Sequence, residues 1–430
     1  MTAIDAIDVA RSARAADSLD HSGVVHFLGS ATTFRRILIR GAVLLLLTLG
    51  IYRFWLVTDI RRFLWGNTHI AGDGLEYVGT AGELLLGFLM AIALLIPVYA
   101  AFFVSALDLG LVRRLASVLA FALLALLGQF AIYRARRYRL TRTVFRGLRF
   151  HQTGSAWRYA VCALFWWVMT VMTLGLAYPW GQASLERYKL RHTFYGDLGG
   201  RFEGSGTRLF LRGFPMWLLV VGPSLVGVVL AIRSVDWAAL AEALSRGGDD
   251  IMGRIEGANP GFAAGLVLAL LAFGLSALFA AALYPAFQAM ALRWWTSGVR
   301  FGEIAVASRL PTASVYRVYF RLLWYSLLLA LVVVTLALIV WAGVGHLDQS
   351  AGNSKPAEFV QAAAFVGIFV AAALAYSTMY QTTVKLSLWR LGFESADVTG
   401  LAALDRVKAV AQSSTAMGEG LADALNVGSY

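Results

Sequence analysis

The chain has 430 residues, 59% of them hydrophobic and 14% charged, and a mean hydropathy of +0.68. Soluble domains carry about 25% charged residues, so this composition excludes an ordinary soluble domain. A net charge of +12 would point to nucleic acid in a soluble protein. Here no nucleic-acid-binding module accompanies it, and the basic residues stand beside apolar runs, where the positive-inside rule and anionic headgroups account for them.

In chain order, residues 1–22 lack the apolar stretch of a signal peptide, and residues 1–25 read as a mobile arm. A short apolar run covers 41–52. Longer ones cover 84–105, 115–133, 157–178, 213–232, 262–284, 322–343 and 359–380. A spanning helix needs about 20 apolar residues, and these runs are continuous rather than alternating as in a membrane β-barrel. The expected fold class is an all-α polytopic membrane protein with internal repeats. It has six to eight membrane helices, two of them candidates for re-entry, and short cytoplasmic β-hairpins. The units fall at 26–133, 134–284 and, more divergent, 285–393, with a cytoplasmic tail over 394–430.

The repeat is read at a constant offset of 125 residues. Gly29 falls on Gly154, Thr48-Leu49-Gly50 on Thr173-Leu174-Gly175, Trp55 on Trp180, Arg62 on Arg187 and Gly79 on Gly204. "YPWGQASLER" at 178–187 recurs as "YPAFQAMALR" at 284–293, pairing Pro179 and Gln182 with Pro285 and Gln288. Fainter echoes lie at 132–150 and 380–393. Each unit reads as an apolar helix leaving lipid through an aromatic belt, a basic helical turn and a short extended pair. Asp73-Gly74 is a hairpin signal in the first copy, and pairs are expected near 143–150, 193–203 and 299–306.

Charge sets the sidedness. Residues 134–158 hold eight Arg and no acid, and 179–212 hold six basic residues, yet only 157–178 separates them. By contrast, 233–261 has five acids against three Arg and reads as external. If 157–178 simply crosses, one strongly basic segment is left outside, against the rule for short loops. Twelve residues at 41–52 reach only about 18 Å, short of a core of about 30 Å. Six spans with re-entrant turns at Leu49-Gly50 and Leu174-Gly175 satisfy both counts. Eight plain spans are the rival. Both termini are expected in the cytoplasm.

The pieces "F-x-G-S…TLGIY-x-x-W…R…GNT…G…Y-x-GT" over 27–80, their recurrence over 150–205 and "GEGLADAL" at 418–425 resemble the YjgN-like family. These are bacterial inner-membrane proteins defined by a domain of unknown function. The resemblance implies a multi-pass inner-membrane protein with duplicated units and supplies no catalytic or ligand residues. After Trp55 the chain departs from the family pattern: Leu56-Val57-Thr58-Asp59 stands where Ala-Lys and a dense Arg run are usual.

Candidate contacts to anionic headgroups or an anionic solute are Arg139, Arg142, Arg146 and Arg149, spaced to share a helical face, and Arg187, Lys189 and Arg191. Tyr133 and Tyr138 are expected as interface anchors. Six His show no HxxxH or HExxH spacing, so no metal is expected. No cofactor and no catalytic set is expected either. The lone Cys162 reads as a small hydrophobe. Proton-coupled carriers usually place ionisable groups in their spans, and the interiors of 84–105, 115–133, 213–232, 262–284, 322–343 and 359–380 hold no Asp, Glu, Lys, Arg or His, which disfavours an ion pump. Pro97, Pro215, Pro223, Pro179 and Pro285 are candidate helix breaks. The function expected is transporter-like or lipid-handling, with anionic phospholipid as the partner class and homo-oligomerisation left open. The alternative is a non-transporting scaffold.

Overall fold

The structure, a computed structural model, describes residues 25–106, 111–245, 257, 260–351, 355–409, 421, 424 and 425. The N-terminal arm and most of "GEGLADAL" lie outside the described residues. Twelve α-helices of eight or more residues and ten short strands are described. Six helical stretches are long and apolar enough to cross a membrane: Ala81–Ala100, Val118–Thr141, Gly206–Ser234, Ala263–Gly298, Thr312–Gly343 and Phe359–Glu394.

The strands are β1 (Val25–Phe27), β2 (Thr68–Ile70), β3 (Asp73–Tyr77), β4 (Thr143–Phe145), β5 (Leu148–Gln152), β6 (Thr193–Tyr195), β7 (Leu198–Phe202), β8 (Val299–Phe301), β9 (Ile304–Ser308) and β10 (Ala396–Thr399). They form one sheet in sequence order, each antiparallel to its neighbours. Cα atoms of β1 and β10 come within 8 Å of each other, so the sheet curls nearly into a barrel. Sequence alone indicates separate hairpins. Their union is new, because strands of three to five residues pair with partners a helical excursion away. Tyr77 sits opposite Thr143, and Phe202 opposite Val299.

Antiparallel order puts the tight turns at one rim and every helical excursion at the other. The first hairpin turn is Ala71-Gly72, both with positive φ, and Asp73-Gly74 begins β3 instead. Arg146-Gly147 repeats that turn. Positive φ at both central residues matches the right-handed strand twist.

Two compact units partition the chain: Met1–Leu164 with Leu185–Gly204 and Leu292–Tyr430, and Phe165–Ser184 with Ser205–Ala291. The first contains the sheet, α1 (Ala31–Leu47), α2 (Arg53–Gly66), α3 (Ala81–Ala106) and α4 (Leu111–Thr141). It also contains the start of α5 (Ala156–Met172) and the end of α6 (Tyr178–Arg191). The second holds their remainder, α7 (Gly206–Ser234), α8 (Trp237–Ser245) and most of α9 (Pro260–Gly298). The chain then returns to the first unit with α10 (Thr312–Ala351), α11 (Lys355–Tyr380), a π-helical turn at Gln381–Lys385 and α12 (Leu386–Glu394). Pro97, Pro215, Pro223 and Pro285 lie inside helices that continue through them, and Pro179 is the second residue of α6.

In the first unit, Phe27, Phe34, Leu38, Ile60, Phe63 and Leu386 form a core where α1, α2 and α12 meet β1. Leu75, Phe145 and Tyr195 form another on the sheet, with Phe150 and Phe301 against it. Elsewhere the helices present large apolar side chains outward. Leu266, Leu270 and Leu271 on α9, and Leu327, Leu331 and Leu338 on α10, are all exposed. An exposed apolar surface on this scale needs a non-aqueous solvent.

Candidate functional site

The two Thr-Leu-Gly segments end α1 and α5 in the same way. Gly50 N–H donates to the Leu45 carbonyl at 2.8 Å and Gly175 N–H to that of Thr170 at 2.6 Å. Leu49 and Leu174 donate to carbonyls three residues back, at 3.2 and 3.1 Å. These two bonds define a Schellman ending, which needs a left-handed residue. Leu49 and Leu174 supply it, at φ 50° and 51°, and each following glycine sits at 95°. The threonines bridge the turn. Thr48 Oγ1 donates to Leu44 O at 2.7 Å and accepts from Tyr52 N at 2.9 Å. Thr173 Oγ1 donates to Met169 O at 2.7 Å and accepts from Ala177 N at 3.0 Å. The chain then reverses into α2 and α6. The tips are apolar: Leu49 is 95% exposed, and Leu47, Ile51, Met172 and Leu174 are exposed too. Trp55 and Trp180 are partly exposed beside them.

At the opposite end of each hairpin an arginine fastens helix to sheet. Arg62 donates to Gly79 O at 3.1 Å and Arg187 to Gly204 O at 3.2 Å. The same bond, again spanning 17 residues, joins Arg137 to Gly154 O at 2.5 Å and Arg293 to Leu310 O at 2.9 Å. Ser30, Thr80, Ser155 and Ser205 then cap the next helix, each side chain accepting from the N–H three residues on. At Gly29, Gly79 and Gly204 a Cβ would collide with the ring of Phe27, Tyr77 or Phe202, two residues earlier. Small size at these glycines lets the aromatic fold back over the backbone. Of the proline-associated glutamines, Gln182 lies in α6 and Gln288 in α9, both partly buried.

The candidate anion contacts are dispersed. α4 ends at Thr141, so only Arg139 is helical, Arg142 follows the helix, Arg146 is in the hairpin turn and Arg149 is in β5. They do not share a helical face. Arg142 pairs with Glu83 at 2.8 Å, and Arg146 pairs with Asp73. Arg149 and Arg191 are exposed. Lys189 pairs with Glu186 at 2.5 Å, and Trp295 Nε1 reaches the other carboxylate oxygen at 3.0 Å. Burial pushes the Lys189 ammonium below its ordinary pKa, against the pull of Glu186. Arg136 is half-buried, and its Nη1 reaches Thr193 Oγ1 at 3.0 Å. Tyr133 and Tyr138 are not interface anchors. Both are fully buried, their hydroxyls donating to Thr153 O and Glu83 at 2.6 Å.

A second set of cations lies outside the candidate contacts. Arg35, Arg36 and Arg40 on α1, Arg158 on α5, Arg208 and Arg212 on α7, and Arg317 and Arg321 on α10 are all exposed within the first three turns of their helices. None of these four helices has an acidic residue in its first turn. A helix N-terminus favours acids, so helix stability does not explain this choice. The signal was present in "GSATTFRR", "GSAWRY" and "GSGTRLFLRG", where arginine follows the cap. Among the described residues no group of three or more His, Cys, Asp or Glu could hold a metal ion. Cys162 is half-buried.

Residues 22–424 match the family model for bacterial proteins of unknown function, DUF898. The chain belongs to that family, the YjgN-like family. No curated protein and no solved structure matches it. For this YjgN-like chain the family describes most of the length and brings no activity with it.

Proposed function

We propose that this YjgN-like protein is a bacterial inner-membrane protein that crosses six times and handles anionic phospholipid through a ring of helix-start arginines on its cytoplasmic side. The carrying observation is the recurrence of exposed arginine early in successive acid-free helices: Arg35, Arg36, Arg40, Arg158, Arg317 and Arg321. Phosphate accepts from guanidinium in charge-assisted bonds, and cationic segments beside a bilayer attract anionic lipid.

The topology follows from chain path. Every excursion leaves and rejoins the sheet at one rim, so a sheet on one side of the membrane requires an even number of crossings. In the α1–α2 and α5–α6 hairpins only the first helix is apolar. These pairs therefore dip and return. From Arg40 to Leu49 is about 13 Å of helix, less than half of a core of about 30 Å. The positive-inside rule places the sheet and both termini in the cytoplasm. The recurrent 17-residue arginine bond and the matching tips support duplication of a helix–hairpin–helix unit.

The test is lipid selectivity. The full chain is reconstituted with spin-labelled phosphatidylglycerol or phosphatidylcholine. The wild type is expected to hold more of the first at its surface. A variant combining Arg36→Gln, Arg40→Gln, Arg158→Gln and Arg317→Gln is expected to lose most of that preference. Equal association of both lipids with the wild type contradicts lipid handling and leaves the scaffold reading.

A further inference from the structure

A groove of about 600 Å³ runs between α1 and α11, with Tyr325 of α10 at its side. Its lining changes character along its length. Arg35 stands at the sheet end, and Ile39, Val43 and Leu46 continue toward the tip of α1. These positions share one helical stripe, and from Arg35 to Leu46 it covers about 17 Å. That is close to one leaflet's share of a core of about 30 Å. α11 returns in the opposite direction. Its apolar residue Leu374 lines the groove, and Thr378, Thr382 and Thr383 follow nearer the sheet. Two of these threonines sit in the π-helical turn at Gln381–Lys385, a geometry frequent at functional sites.

A second groove of about 480 Å³ lies between α10 and α11, lined only by aliphatic residues and glycine, among them Val332, Leu336 and Ile368. The two grooves meet at Ala371 and Ala375, which line both. Small side chains at the junction leave the space open. Arg35 is exposed, and among the described residues it has no carboxylate partner.

One cation, a hydroxyl-lined neck and two diverging apolar channels match a molecule with one anionic head and two acyl chains. We propose that this site binds one anionic glycerophospholipid. Its phosphate lies on Arg35 and its glycerol-ester region beside the threonines. One chain lies between α1 and α11 and the other between α10 and α11. The site rests on the reading that α1 dips into the bilayer, and it adds a defined lipid position to the general arginine ring. Phosphatidylcholine offers the same phosphate, but its quaternary ammonium then lies close to the Arg35 guanidinium and repels it, so an anionic head is preferred.

The experiment is native mass spectrometry of the full chain, released from detergent after incubation with phosphatidylglycerol or phosphatidylcholine. The wild type is expected to retain one phosphatidylglycerol in preference to phosphatidylcholine by about tenfold, the equivalent of one charge-assisted bond. Arg35→Gln is expected to abolish that preference, and Arg309→Gln, at an exposed arginine paired with Asp397, to keep it. Ala375→Phe fills the junction and is expected to remove bound lipid of both kinds. Should that variant fail to fold, Ala371→Leu is expected to lower occupancy of both lipids in a smaller step. Equal retention of the two lipids by the wild type overturns the proposal. So does full occupancy in folded Ala375→Phe or Ala371→Leu. The four-arginine variant tested for the ring leaves Arg35 in place and is expected to keep its one bound lipid. The two readings therefore fail separately.

Discussion

Leu49 and Leu174 hold the same left-handed backbone conformation, with φ of 50° and 51°, at positions related by the 125-residue offset. Such a conformation costs an L-residue about 1–2 kcal/mol, and glycine is the usual choice at this position of a helix ending. A leucine in both places, exposed in both, is unfavourable for the backbone and favourable only if the side chain meets lipid. That pair is the local basis for reading the short hairpins as dipping into the membrane.

Leu49→Gly should therefore stabilise the detergent-solubilised protein. Relief of the left-handed strain is offset in part by the greater freedom of glycine in the unfolded chain, leaving a gain of about 0.5–1 kcal/mol. Thermal unfolding in detergent checks this, and a lowered midpoint would count against it.

The fastening arginines should act independently. Arg62→Ala and Arg187→Ala each leave a backbone carbonyl without its partner, at Gly79 and Gly204. Each should cost about 1 kcal/mol, and the double variant should show nearly the sum. A double variant no worse than either single one would show that the two bonds belong to one coupled network.

Glu186 is a buried carboxylate paired with half-buried Lys189, and its charge also acts on half-buried Arg136. Glu186→Gln should be destabilising, by about 2 kcal/mol, because half-buried cations lose their counter-charge. Adding Lys189→Met should recover part of that loss. Purification yield and thermal midpoint in detergent read both outcomes, and a stable single variant would contradict the assignment.

His151 is buried on β5, stacked on Phe194 with ring centroids 5.1 Å apart. Burial holds its pKa below the ordinary value of 6.5. The unfolded chain therefore takes up a proton at a higher pH than the folded one. Stability from this group is complete above about pH 6.5 and is lost as pH falls from there toward the lower folded value. The His151→Phe variant should show a flatter stability profile below pH 6.5 than the wild type. Identical profiles would mean that other groups control the acid limb.

The helices were legible because their apolar runs are long and their starts carry Gly-Ser or Gly-Thr. The tips were legible because the same threonine bridge and positive-φ glycine close the turn in both, at Thr48 and Gly50 and at Thr173 and Gly175. The single sheet was not, because β1 and β2 are three residues each and meet only after the α1–α2 hairpin closes. Arg139, Arg142, Arg146 and Arg149 misled for a related reason. Their spacing suits a helix, but Thr141 ends α4 and a hairpin follows. Tyr133 and Tyr138 resemble interface anchors in sequence, and only the fold shows that Thr153 and Glu83 receive their hydroxyls inside.

The central claim is that the short hairpins turn back within the membrane while the sheet stays on the cytoplasmic side. Single cysteines at Leu174, Arg149 and Glu242, in a Cys162→Ala background, test it most directly when intact cells are treated with a membrane-impermeant maleimide. The account predicts labelling at Glu242 alone, between α7 and α9. Labelling at Leu174 as strong as at Glu242 would mean that α5 crosses outright, and would contradict it.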